Sequence, residues 1–286
     1  MNRIILGTAQ FGSNYGINNQ HGELRNEQIF QILEYAFDAG IRKIDTAGTY
    51  GRAEEAVGLF HKSLRKRFEI DTKFSGNVNL SASEQLSQST KQLGVPVIQT
   101  YYFHSFRDIE NIPNLLEEAC RLKAEKAVKN IGVSVYSNED FAKALTYDEI
   151  DSIQFPFNML DNHSKRGPML ELAKLRGKRT IARSLFLQGL FFKELDAFPI
   201  VLEPLIKYVE KLQYLSKKYA VGMNELALSY VRAQENIDFV IIGVESLAQL
   251  KSNIVKMNRA IDEGLKREID RIDVAEKNLL YPYNWI

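Results

Sequence analysis

Eight short apolar runs, each followed by a longer amphipathic stretch, constrain this chain more than any other feature. The strand candidates are Ile4–Thr8, Ile41–Asp45, Phe68–Lys73, Ile98–His104, Asn130–Ser134, Ser152–Phe155, Thr180–Ser184 and Phe239–Gly243. Most are apolar almost throughout rather than alternating, as expected of parallel strands buried on both faces. Between them lie helical patterns. In "NEQIFQILEYAFDAG", Ile29, Ile32, Leu33, Ala36 and Phe37 share one face, and Gly40 ends the run. "SASEQLSQSTKQLG" opens with Ser81 three residues before Glu84, the arrangement of a capping box. Pro113 marks the start of "NLLEEACRLKAEKAVKN". Shorter helices are expected in "NEDFAKAL" and "GPMLELAKLRG". "EPLIKYVEKLQYLSKKYAVGMNELALSYVRAQ" reads as two helices broken near Gly222, and "LAQLKSNIVKMN" and "LKREIDRIDVAEK" follow the last strand.

Repeated β-then-α units predict a closed (β/α)8 TIM barrel. The rival is an open doubly wound sheet, which usually carries a Gly-rich dinucleotide turn after its first strand. Here that region reads "GTAQFGSNYG", with the wrong glycine spacing and no helix at once behind it. No linker, low-complexity block or charge run divides the chain, so one domain over residues 1–286 is expected. A chain of 286 residues with 45% hydrophobic residues can bury a core without staples. Its net charge of +1 gives no electrostatic case for nucleic acid or an anionic membrane surface. Cys120 is the only cysteine, so no internal disulfide forms, which fits a reducing compartment. The apolar run Ile4 to Leu6 is too short for a signal-peptide core, and no segment approaches the roughly 20 apolar residues of a membrane span. These features predict a soluble, cytoplasmic protein. Oligomeric state is not readable from them.

In such a barrel the site forms where strands reach their C-terminal ends. Strand two ends at Asp45, strand three at Lys73, strand four at His104 and strand five at Ser134. Strand six passes through Gln154, and strand seven reaches Arg183 and Ser184. Tyr50 stands in the turn beyond Asp45, within "IRKIDTAGTYG". An acid, a lysine, a histidine and a tyrosine, distant in sequence, would share one mouth. A phenol has a reference pKa of about 10 and is a poor proton donor at neutral pH unassisted. An ammonium at about 4 Å, with an effective dielectric near 20, favours the phenolate by roughly 4 kcal/mol before desolvation is counted. Asp45 would hold Lys73 charged and aimed, and His104 would hydrogen-bond near the same oxygen. Such a set hands a proton to an oxygen on which negative charge develops. Each residue also has a plainer reading. Asp45 and Lys73 make an ordinary buried ion pair, His104 a satisfied core histidine, Gln154 a partner for backbone groups, and Arg183 a partner for a surface acid. His21, His61 and His163 show no metal-ligand spacing with one another or with Cys120, so no metal site is assigned. Tyr101, Tyr102 and Phe103 read as barrel filling.

The sequence resembles the aldo-keto reductase family. "IDTAGTYG" is similar to its Asp-Thr-Ala…Tyr-Gly segment, and Lys73 and His104 match its catalytic tetrad in type and order. "IGVS", "IQFPFNMLD", "RSLFLQGLF" and "IIGVESLAQLKSN" are similar to later segments in the same order. The resemblance runs from "LGTAQFG" to about Asn253. It implies a (β/α)8 barrel binding an extended nicotinamide cofactor, NADP(H) by family habit with NAD(H) left open. It also implies reduction of a small-molecule aldehyde or ketone. Hydride passes to the carbonyl carbon and Tyr50 protonates the oxygen, with Lys73 and Asp45 tuning Tyr50 and His104 orienting the carbonyl. Ser134 and Gln154 match positions holding the nicotinamide carboxamide; Asp45 and Thr8 lie near the nicotinamide ribose. Ser184, Leu185, Gln188 and Gly189 match the pyrophosphate loop, and Gly243, Gln249 and Asn253 the adenosine end.

There are departures. Val135 stands where the family often has an asparagine, and Arg183 where an aromatic commonly stacks on the nicotinamide. Around the adenosine 2′-phosphate this chain has Val244, Glu245 and Ser246, with Lys251 nearby. The polar candidates Tyr15, Arg52, Arg107 and Arg183 suit a hydroxylated or anionic substrate, such as a sugar derivative. The tail "YPYNWI" either borders the substrate pocket or docks on the barrel, and no long C-terminal lid is expected. Two other functions fit the same barrel. One is a cofactor-binding regulatory or interaction subunit. The other is a Schiff-base aldolase using Lys73.

Overall fold

The computed structural model describes residues 3–19, 22–76 and 79–285; His21 lies outside them. Eight parallel strands close into a barrel in sequence order: β1 (Ile4–Gly7), β2 (Lys43–Asp45), β3 (Glu69–Phe74), β4 (Ile98–Phe103), β5 (Val128–Ser134), β6 (Ser152–Pro156), β7 (Arg179–Arg183) and β8 (Phe239–Gly243). Pairing of β1 with β8, Ile4 opposite Val240 through Gly7 opposite Gly243, completes the ring. The expected barrel and all eight strands are present.

The helices pack outside the barrel. These are α1 (Asn26–Asp38), α2 (Ala53–Ser63), α3 (Ala82–Leu93), α4 (Phe106–Asn111), α5 (Leu115–Ala124), α6 (Asn138–Ala144), α7 (His163–Leu175), α8 (Ile206–Lys218), α9 (Met223–Arg232), α10 (Leu247–Met257) and α11 (Glu263–Asp270). Ser81 caps α3 and Glu84 reaches back to it, closing the capping box. Gly94 ends that helix in the left-handed region at φ 65°. Gly222 separates α8 from α9, and Pro113 lies just before α5. Several elements differ from the sequence reading: α2 has no counterpart in it, and α11 ends at Asp270, inside the expected "LKREIDRIDVAEK". Helix α4 has no apolar period long enough to announce it; Ser105 and Asp108 form its cap. Helix α7 begins before "GPM" and carries Pro168 inside it. Its first turn is anchored by Asn162, whose amide donates to Ile269 and Ile272 carbonyls, and by the buried Arg166–Asp161 pair at 2.6 Å.

Strand alternation sorts the side chains. On β3, Ile70 and Phe74 join the large core between barrel and helices, and Thr72 donates outward to Glu54 on α2. Glu69, Asp71 and Lys73 therefore face the barrel interior. A small separate cluster of Ile5, Tyr102 and Ile181, flanked by Phe239 and Ile241, fills that interior. Tyr102 reaches Ser152 at 2.5 Å, and its ring leaves no room for a side chain on β5, since a Cβ on Gly132 would lie 2.3 Å from it. The interior is thus plugged beneath the C-terminal mouth of the barrel.

Candidate active site

At the C-terminal mouth is a cavity of about 610 Å³, within the range of small-molecule sites. At its floor Lys73 Nζ donates to Asp45 Oδ2 at 2.6 Å and to the Thr46 carbonyl at 2.8 Å. Asp45 Oδ1 accepts from Gln154 Nε2 at 2.6 Å. The pair is nearly closed to solvent, with 2% and 5% of the Lys73 and Asp45 side chains exposed. Burial works against the charge on Lys73, but the attraction of Asp45 and of the Tyr50 phenol outweighs it and holds the ammonium pKa above its ordinary value. Lys73 Nζ lies 5.0 Å from the centroid of the Tyr50 ring.

The turn that carries Tyr50 is held from behind. Tyr50 N donates to the Ala47 carbonyl, and the Tyr50 carbonyl accepts from Ala53 N at the head of α2. Gly51 adopts φ 54°, and a Cβ there would lie 2.0 Å from the Gly12 carbonyl. A Cβ on Gly12 would lie 2.1 Å from the Tyr50 carbonyl. Two glycines in different loops therefore allow the backbones to touch and fix where the phenol points. The His104 ring meets the Tyr50 ring edge-on at 6.1 Å. Burial, then the charges of Lys73 and Arg183, push the His104 imidazole down to about 3. It is neutral at working pH, able to donate a hydrogen bond without carrying charge.

Tyr50, Lys73, Asp45 and His104 all line this cavity. So do Thr8, Ser134, Arg183, Ser184, Leu185, Gln188, Gly189, Gly243, Gln249 and Asn253. Gln154 does not; it lies fully buried beneath the floor as a support for Asp45, with its Oε1 unpartnered. Of the polar substrate candidates, Tyr15 and Arg183 face the cavity. Arg52 does not: it is bound to Glu23, Asn26 and the Leu24 carbonyl. Arg107 also lies outside the lining. The C-terminal tail docks on the wall rather than entering: Tyr281 and Tyr283 pack edge-on against Tyr136 at 5.6 and 4.7 Å. Lys251, on α10, lies over the Tyr35 ring.

The segment after β7 covers the cavity in a strained conformation. Ser184, Leu187 and Gln188 all have positive φ, at 60°, 47° and 55°, followed by Gly189 at 89°. Non-glycine residues adopt this region only where surroundings enforce it, commonly at ligand sites. Asn158 holds the segment by donating to the Ser184 carbonyl, and Gln188 reaches Tyr15 at 3.4 Å.

Sequence reasoning missed Gln10, Tyr136 and Asn224 in the lining. Gln10 and Tyr136 lie just past strand ends, a signal that was available; Asn224, in the first turn of α9, had none. Gln10 Oε1 and Asn224 Oδ1 are buried acceptors without donors. A Cβ on Gly243 would strike Gln10 Oε1 at 2.5 Å. Orphaned acceptors of this kind suit the hydroxyl and amino groups of a nucleotide. In the turn after β8 the charged lining residue is Glu245, beside Gln249 and Asn253.

The profile of the aldo/keto reductase family matches residues 3–274. The NADH-specific methylglyoxal reductase of Escherichia coli K12 is 25% identical, covering 94% of each chain. The L-glyceraldehyde 3-phosphate reductase of Escherichia coli O157:H7 is 25% identical over 79% of this chain and 78% of that protein. Among solved structures, the holo form of aldo-keto reductase AKR11C1 from Bacillus halodurans superposes with a TM-score of 0.76 at 19% identity. It covers 95% of this chain and 92% of its own.

Proposed function

Because the chain belongs to the aldo/keto reductase family, and is therefore a nicotinamide-dependent carbonyl reductase, we propose that Tyr50 is the proton donor of the reaction and that NADH is the preferred cofactor. The observation that carries the first part is the buried Lys73–Asp45 pair set below Tyr50 at the cavity floor. A bound dihydronicotinamide supplies hydride to the carbonyl carbon. As charge develops on the carbonyl oxygen, Tyr50 delivers its proton there, and the Lys73 ammonium stabilises the phenolate left behind. Neutral His104 donates to the same oxygen and orients the carbonyl. Asp45 keeps Lys73 charged, and Gln154 keeps Asp45 in place.

The cofactor would lie along Thr8, Ser134, the Ser184–Gly189 segment and Gly243, with its adenosine near Gln249 and Asn253. Glu245 in the same turn favours NADH, because a carboxylate accepts from ribose hydroxyls but repels a 2′-phosphate. Lys251, which would have relieved that repulsion, is directed to Tyr35 instead. The relative named for NADH-specific methylglyoxal reduction supports the same preference. A Schiff-base aldolase is disfavoured, since an amine held charged in a buried pair is a poor nucleophile.

The test is fluorescence titration with NADH and NADPH, followed by turnover of an activated aldehyde by wild type and Tyr50→Phe. The variant should bind cofactor normally and lose about 10²- to 10⁴-fold in kcat. Turnover by Tyr50→Phe close to wild type would remove Tyr50 from the role. NADPH binding as tight as NADH would refute the cofactor preference.

A further inference from the structure

Arg183 is a cation at the mouth that the proposed proton transfer does not use. It ends β7 and lines the cavity. Its guanidinium lies 4.2 Å from the centroid of the Tyr136 ring. It donates from Nη2 to the Val135 carbonyl at 3.1 Å and from Nη1 to Ser184 Oγ at a long 3.4 Å. Its Nε is buried and has no acceptor. Among the described residues no carboxylate pairs with it. The acid closest to the reaction centre, Asp45, is already bound by Lys73 and Gln154. The expectation that Arg183 serves a surface acid therefore fails. A half-buried cation without a counter-charge is unfavourable unless something else supplies one.

The platform beneath it is built to stay put. The Tyr136 carbonyl accepts from Arg166 Nη2 at 2.6 Å, and Arg166 is clamped by both oxygens of fully buried Asp161, at 2.8 and 2.6 Å. Tyr281 and Tyr283 pack edge-on against the Tyr136 ring. A guanidinium fixed in this way loses little freedom on binding, and its planar donors match a carboxylate or phosphate two-on-two.

We propose that the substrate carries an anionic group, carboxylate or phosphate, besides its carbonyl, and that Arg183 binds that group while the carbonyl oxygen meets Tyr50 and His104. The proposal rests on the reductase reading of the same site. It makes Arg183 a specificity residue rather than a support for the nicotinamide.

The experiment compares two matched pairs: glyceraldehyde 3-phosphate with glyceraldehyde, and 4-oxobutanoate with its methyl ester. Within each pair the carbonyl is unchanged and the charge differs. Wild type should prefer the anion by about ten- to hundredfold in kcat/KM in at least one pair, as expected of a charge-assisted hydrogen bond. The pair showing it tells phosphate from carboxylate. Arg183→Gln should bring that ratio to near one, Arg183→Lys should keep part of it, and NADH affinity should stay within about threefold in both. No preference in either pair, or a ratio that survives Arg183→Gln, overturns the proposal. So does equal loss on both members of a pair with weakened NADH binding, which would give Arg183 to the cofactor. If no aldehyde turns over, the reductase reading fails instead. The anion site is then scored by thermal shift at saturating NADH, with succinate and inorganic phosphate against dimethyl succinate. A shift with either anion that Arg183→Gln abolishes sustains it; equal shifts or none overturn it.

Discussion

Replacing Asp45 with asparagine keeps the side chain's shape but removes the counter-charge of Lys73. In the native protein the two oxygens of Asp45 accept from Lys73 and from Gln154, each at 2.6 Å. An asparagine oxygen can still accept from the ammonium, and its NH2 can meet Gln154, whose otherwise unpartnered Oε1 accepts it once the amide flips. The hydrogen bonds can be remade, and what is lost is the charge: the ammonium stays buried without an opposite one. Breaking a buried pair from one side costs about 3–5 kcal/mol, so Asp45→Asn should lose about that much unfolding free energy in urea at pH 7. The pH dependence follows from Lys73. Burial lowers its pKa, Asp45 and Tyr50 raise it, and the net value is raised. Its stabilisation is therefore fully present below the unfolded lysine value of about 10.4 and fades as pH rises through the folded value. The advantage of wild type over the variant should accordingly vanish above that range, where Asp45 becomes the unpaired buried charge. Lys73→Met combined with Asp45→Asn removes the stranded charge, so the double variant should lose at least about 1 kcal/mol less than the sum of the two single losses. A loss below about 1 kcal/mol for Asp45→Asn, or strict additivity in the cycle, would refute the reasoning.

Two further outcomes are expected. Asp71 sits on the inner face of β3 beside Asp45, with its Oδ1 unpartnered; burial first, and then the charge of Asp45, push its carboxyl up to about 7 against the opposing pull of Lys43, Thr100 and Lys73. A carboxyl raised on folding takes stability away as pH rises from its unfolded value of about 3.9 to its folded one, so Asp71→Asn should stabilise the protein by up to about 4 kcal/mol at pH 8 and by clearly less at pH 5; equal effects at both, read from urea midpoints, would sink this account. Gly12→Ala would drive a Cβ into the Tyr50 carbonyl at 2.1 Å. It should displace the phenol and lower kcat by about 10²-fold, with NADH affinity reduced much less; an alanine variant as active as wild type would show that the backbone contact does not aim Tyr50.

The element plan was legible in the sequence because burial leaves a periodic trace along the chain. Runs buried on both faces announced all eight strands, and Ser81, Gly94 and Gly222 marked helix ends by chemistry that is local to each residue. Strand ends in a barrel necessarily converge, so the grouping of Asp45, Tyr50, Lys73 and His104 followed from that plan alone. Partnership between distant side chains leaves no such trace. Gln154 and Asp45 are 109 positions apart, and only closure of the barrel showed that Gln154 supports the acid from below the floor rather than lining the cavity. The same holds for Arg52, taken up by Glu23 and Asn26, and for Arg183, laid against Tyr136 without an acid partner. Periodicity reports how far each residue is from water; which group it meets there depends on the packing of elements that the sequence keeps apart.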